Sequence, residues 1–208
     1  MYSIGLDVHS QLTAICVFDE NGKTVRETVV RGPLPHVIST MGQLRKDFGP
    51  LKVCYEASCG YGWMHEQLTA MGCKVQVAHP GKVRMIFRAK RKNDRIDARK
   101  LATLLFLDQV PMAHVPPSEV RQWRSMIEYR RTLVERRGAA KNRLRAILRS
   151  NVIAAPRGLW TRKGLAWLES AELPLCQGLQ RNQLLEELEE IKKKIDQVHK
   201  VLKQIADK

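Results

Sequence analysis

Residues 2 to 30 hold three apolar, β-branched stretches separated only by short polar turns, and this spacing commits the start of the chain to a meander of strands. "YSIGLDV" comes first, "LTAICVF" follows a short turn, and "KTVRETVV" follows the turn signal in "DENGK". Asp7 lies within the first of these strands, flanked by Ile4, Leu6 and Val8. A carboxylate in a core strand is costly unless it is paired or holds a metal. The first strand therefore carries both a fold constraint and a chemical one.

The rest of the first half alternates. A helix is expected from Pro35 to about Phe48, with Val37, Ile38, Met41 and Leu44 along one face. "LKVCYEA" reads as a buried strand that ends in Glu56, residues Tyr61 to Met71 as a helix, and "CKVQVAH" as a fifth strand stopped by Pro80 and Gly81. Asn93 and Asp94 are good caps for a helix running to about Asp108. The order βββ-α-β-α-β-α predicts an α/β domain over residues 1–110, a mixed sheet with flanking helices.

Residues 111–208 read as a second, all-α region. "VPPSEV" marks the boundary, and a long helix is expected from about Glu119 to Ser150. The stretch from 151 to 177 is broken by Pro156, Gly158, Gly164 and Pro174 and is expected to be irregular or short-helical. Leu184, Leu188, Ile191, Ile195, Val198, Leu202 and Ile205 then alternate steps of four and three, which predicts a coiled-coil helix over 179–206. Such a narrow stripe needs a partner helix. A second copy of the chain is the expected partner, with the 119–150 helix of the same chain as the alternative.

The chain carries 36 Lys and Arg against 21 Asp and Glu, a net charge of +15. That excess fits a nucleic-acid binder, because neutralising phosphates takes clustered cations. Nine Lys or Arg fall between Lys82 and Lys100, including Arg88, Lys90, Arg91, Lys92 and Arg95. Ten more fall between Arg121 and Arg149, including Arg130, Arg131, Arg136, Arg137, Lys141 and Arg143, against the two acids Glu128 and Glu135. These eleven named cations are the candidate nucleic-acid contacts. No run of 18 apolar residues, charged leader or lipidation motif appears, so no membrane partner is expected and a cytoplasmic location is. Five cysteines without a CxxC pair speak for reduced thiols rather than zinc or disulfides.

Asp94 and Asp97 are the only acids within the first basic run. Acids would weaken a segment that served only to attract polyanions. Their spacing of three places them on one face of the helix start. With Asp7 in a central strand and Glu56 at a strand end, four carboxylates can meet at one spot. Hard oxygen ligands of this kind suit Mg²⁺ or Mn²⁺, and two such ions can drive phosphodiester displacement.

The order of elements resembles the ribonuclease-H-like (RuvC-like) fold of Holliday-junction resolvases. "GLDVHS", "YEASCGYG" and "KNDRIDARKLA" resemble the motifs of DEDD transposases of the insertion-sequence-110 family, described as bridge-RNA-guided recombinases of bacteria and archaea. The resemblance implies that Asp7, Glu56, Asp94 and Asp97 are the catalytic metal-binding tetrad. It implies DNA and a structured guide RNA as partners, assembly of several copies, and strand cleavage and exchange in transposition. In that family a C-terminal domain supplies a serine nucleophile. No segment here resembles that motif, so the chain is expected to be a fragment that stops before it.

Other readings stay open at this point. A stand-alone RuvC-like junction nuclease would need no further domain, and in a non-catalytic nucleic-acid-binding module the acids would be structural. An actin-like ATPase also begins with a meander and a "GxDxG" loop, but "GLDVHS" lacks the second glycine. His9 is read as an ordinary hydrogen-bonding residue beside the acids. Tyr61 and Trp63 are open between stacking on a base and packing at a rim.

Overall fold

The computed structural model describes residues 1–87 and 93–207, so the contacts expected of Arg88, Lys90, Arg91 and Lys92 lie outside the described residues. The chain forms two compact units, Met1–Pro116 and Pro117–Lys208.

In the first unit, β1 (Tyr2–Val8), β2 (Leu12–Phe18) and β3 (Thr24–Arg31) form the meander. α1 (Leu34–Phe48), β4 (Leu51–Glu56), α2 (Tyr61–Ala70), β5 (Lys74–Ala78), α3 (Pro80–Ile86) and α4 (Asp94–Phe106) follow. The strand order is β3-β2-β1-β4-β5, antiparallel within the meander and parallel from β1 through β4 to β5. This is the mixed sheet of a ribonuclease-H-like fold, with β1 at its centre. Residues 111–113 run along the outer edge of β5: His79 N–H donates to the Pro111 carbonyl and Ala113 N–H to that of Val77. That cover satisfies edge groups that would otherwise stay open.

The two faces of the sheet are packed differently. On one, Ile4, Leu6, Ile15, Val17, Val53, Tyr55 and Val77 meet Val37, Met41 and Leu44 of α1 and Met64 and Leu68 of α2. On the other, α4 lies against small residues: Ala14 and Cys16 of β2 cluster with Ala98 and Ala102. Gly5 makes the approach possible, since a Cβ there would sit 2.0 Å from the Ala98 carbonyl oxygen and 2.4 Å from the Ala102 nitrogen. α4 starts where the sequence predicts, with the Asn93 side chain accepting from the Arg95 N–H at 3.1 Å. Arg99 further ties α4 to β3 through a two-pronged pair with Glu27, at 3.0 and 2.7 Å.

One helix departs from the sequence reading. Pro80 and Gly81 were expected only to stop a strand, yet they open α3. Proline is favoured at the first helical position because its missing N–H would have no partner there.

The second unit consists of α5 (Ser118–Ser150), α6 (Arg162–Ser170) and α7 (Leu175–Ala206). α5 and α7 pack side by side. Leu133 meets Ile191, Ile195 and Val198, with Met126 and Leu202 at one end. Leu144 and Leu148 cluster with Leu184, Leu188 and Leu168 at the other. The apolar stripe assigned above to a second copy is thus covered by α5 of the same chain, the alternative partner. Arg130 donates to His199, and Arg136 reaches Glu187 at 3.1 Å, so polar pairs flank this seam. Among the described residues no helix is long and apolar enough to cross a membrane.

Candidate metal centre

The register of the sheet places the acids before any side chain is considered. Leu6 pairs with Tyr55 across the parallel β1–β4 ladder, so Asp7 and Glu56, one residue on, are neighbours at the strand ends. Alternation puts Asp7 on the side of Gly5, and Glu56 on the side of Cys54, which clusters with Leu101 and Leu105 of α4. Both carboxylates therefore look toward α4, whose first residue is Asp94.

Three ligand-type groups converge there. Among the described residues, atoms of Asp7, His9 and Asp94 lie within 4.8 Å of one another. His9 Nε2 stands 3.3 Å from Asp7 Oδ2 and 3.6 Å from Asp94 Oδ1. Asp7 Oδ2 is buried and has no aligned hydrogen-bond partner. Burial pushes the Asp7 carboxyl above its usual range; the His9 imidazole pulls the other way, and the charges of Asp94 and Asp97 add to the rise. A buried carboxylate close to a second carboxylate is an unfavourable arrangement that a divalent cation would relieve. Oxygen donors of this type fit Mg²⁺ or Mn²⁺.

The other two acids of the expected tetrad are differently placed. Asp97 lies one helical turn beyond Asp94 and accepts from Lys100 Nζ at 2.7 Å. Glu56 is half-buried at the end of β4, outside the converging set, and its charge together with burial raises the Cys54 thiol to about 12, burial being the larger cause. The structure thus brings Asp7 and Asp94 together, places Glu56 on the adjacent strand end, and pairs Asp97 with a lysine. His9, read from the sequence as an ordinary partner, sits between two of the acids. Its signal was the two-residue spacing from Asp7, but β1 ends at Val8, so spacing alone could not aim the ring. The His9 N–H donates to the Leu12 carbonyl in the β1–β2 turn, which holds the residue at the strand end.

The expected nucleic-acid cations fall into two groups. Arg95 and Arg143 are exposed. Arg130 and Arg136 reach across to α7, and Arg131 sits between Glu128 and Glu135 at 3.7 and 3.1 Å. Lys141 lies over the Trp160 ring, 4.7 Å from its centroid, and burial, reinforced by Arg137 and Arg145, lowers its pKa.

Comparison with known proteins agrees with the motifs. The chain is 25% identical over 171 residues to the transposase for insertion sequence element IS1533 of Leptospira borgpetersenii, covering 80% of this chain and 49% of that protein. It spans about half the length of this curated relative. Residues 4–152 match the family of IS110-type DEDD transposases, a stretch that takes in the sheet apart from the first two residues of β1, together with α4 and α5. With Asp7, Glu56 and the Asp94–Asp97 pair at the strand ends and helix start where the motifs resembled that family, the chain belongs to the IS110 DEDD transposase family.

Proposed function

We propose that the first unit is the metal-dependent DNA-cleaving part of a transposase, with Asp7, Glu56, Asp94 and Asp97 as its metal-binding and catalytic carboxylates. The observation that carries this reading is the convergence of Asp7, His9 and Asp94 within 4.8 Å at the start of α4, with Asp7 Oδ2 buried. A divalent ion bound there supplies Lewis acidity toward a phosphate oxygen and lowers the pKa of a bound water. The protein's own part is positional. β1 and β4 hold Asp7 and Glu56 side by side, and the capped start of α4 sets Asp94 opposite them. Asp97 becomes available by giving up Lys100, whose ammonium is then free for a phosphate oxygen. His9 Nε2, 3.3 Å from Asp7 and 3.6 Å from Asp94, is a third ligand-type group at the same place.

The partners in this reading are DNA and a structured guide RNA, with strand cleavage and exchange in transposition as the outcome. Net charge and the exposed Arg95 and Arg143 support phosphate binding. The second unit, helical and basic, serves as the nucleic-acid-binding domain. Assembly with further copies uses the outer faces of the helical unit, where Ile127, Tyr129, Leu179 and Val201 are exposed, because the α7 stripe is already covered.

Mn²⁺ titration followed by paramagnetic resonance tests the centre. Asp7→Asn and Asp94→Asn should each weaken Mn²⁺ binding at least tenfold with an unchanged far-ultraviolet dichroism spectrum, and Glu56→Gln and Asp97→Asn somewhat less. Full Mn²⁺ affinity in Asp7→Asn would leave the acids structural and the chain a non-catalytic binder.

A further inference from the structure

A cavity of about 620 Å³ opens beside His9, within the first unit. Its walls come from Val8 at the end of β1, Leu34 at the start of α1, and Cys59 and Trp63 around the start of α2. His9 and Ser58 form part of the polar rim. The size lies within the range of sites for small organic groups, and the composition, apolar walls with a few polar edges, is typical of them.

The loop before α2 is shaped to keep this space. Gly60 has φ +73°, and a Cβ there would lie 2.5 Å from Leu34 Cδ1. That left-handed backbone favours glycine, and a Cβ there would make Leu34 shift. The core does not use Trp63: Gly62, Met64 and Leu68 form the buried face of α2, while the indole is 38% exposed. Neither α1 nor α2 has a side-chain cap at its start, so polar N–H groups at both helix starts are left to other partners.

We propose that this cavity takes one unpaired nucleobase of the DNA strand whose phosphate lies at the Asp7–Asp94 cluster, with Trp63 as the stacking face. The inference rests on the reading of that cluster as a phosphodiester site. His9 is shared between the two places: its Nε2 lies 3.3 and 3.6 Å from the two acids and the residue also lines the cavity, so a phosphate at the acids has its own base or the next one within reach of the cavity. Every base offers a π-face, and stacking on an aromatic residue is tolerant of sequence. A base can enter only from a strand that is single or locally opened, which selects unpaired DNA at the point of cleavage.

The test uses the full chain with Mn²⁺ and single-stranded oligothymidylate in which thymines are replaced by 5-iodouracil. Irradiation followed by digestion and mass spectrometry should place an adduct on Trp63. Trp63→Ala should lose that adduct and bind the oligonucleotide about tenfold more weakly, with Mn²⁺ affinity and dichroism unchanged. Trp63→Phe, which keeps a ring, should bind within about threefold of the parent. Adducts confined to α5, with Trp63→Ala binding like the parent, would overturn the cavity while leaving the metal reading intact. A parent that binds Mn²⁺ but no oligonucleotide would overturn both the cavity and the DNA reading.

Discussion

The two faces of the sheet are packed with side chains of different size. The face under α1 and α2 is filled with large aliphatic side chains such as Met41, Leu44, Met64 and Leu68. The face under α4 is lined near β1 by Gly5, Ala14, Cys16, Ala98 and Ala102. Large residues hold helices at an ordinary distance and contribute burial. Small residues let a helix backbone come close enough for an acid at its start to meet an acid on a strand. The candidate centre lies on the closely packed face.

Substitution on each face sharpens the contrast. Leu68→Ala and Gly5→Ala should each cost about 3 kcal/mol in denaturant unfolding, the first by leaving a cavity and the second by forcing α4 off the sheet. Only Gly5→Ala should also weaken Mn²⁺ binding, by tenfold or more. Equal Mn²⁺ affinity in the two variants would dissolve the distinction between the faces.

A smaller effect with the opposite sign is expected at Asp7. Its carboxyl is raised above the ordinary value of 3.8, chiefly by burial. The folded protein therefore holds that proton more tightly than the unfolded chain does. This contribution to stability is full below the unfolded value and is lost as pH rises through the folded one. In chelator at pH 7, Asp7→Asn should be more stable than the parent by about 1 kcal/mol, the scale of relieving one poorly satisfied buried group. The advantage should vanish near pH 3. A destabilised Asp7→Asn would mean that the charge is well paired and the centre is not strained.

Least in size is the cap. Asn93→Ala removes the acceptor of the Arg95 N–H and should cost about 1 kcal/mol or less in thermal unfolding. It should also loosen Asp94, the next residue, and weaken Mn²⁺ binding two- to threefold. The same kind of change at Thr161, whose hydroxyl accepts from the Gly164 N–H at the start of α6, should leave Mn²⁺ binding untouched.

Much of this was readable along the chain because it depends on near neighbours. Short apolar, β-branched runs specify β1 to β5, a turn signal separates β2 from β3, and Asn93 begins α4 through a bond to a residue two places on. Asp7 stood out because a charge in an apolar strand conflicts with its surroundings wherever the strand ends up. The family, too, was visible in short motifs, since each motif is a local run of residues.

Tertiary structure decided the rest, for the reason that each outcome turned on a distance between residues far apart in sequence. His9 became part of the candidate centre because the turn after β1 and the start of α4 arrive at the same place, 85 positions apart. Asp97 was drawn to Lys100, while the similar Asp94 faced the sheet, because one helical turn separates an acid over the strand ends from one beside a lysine. The stripe on α7 stated only that it needed a partner. A heptad pattern encodes a narrow apolar seam and not the identity of the helix that covers it, and here burial against α5 of the same chain supplied that partner.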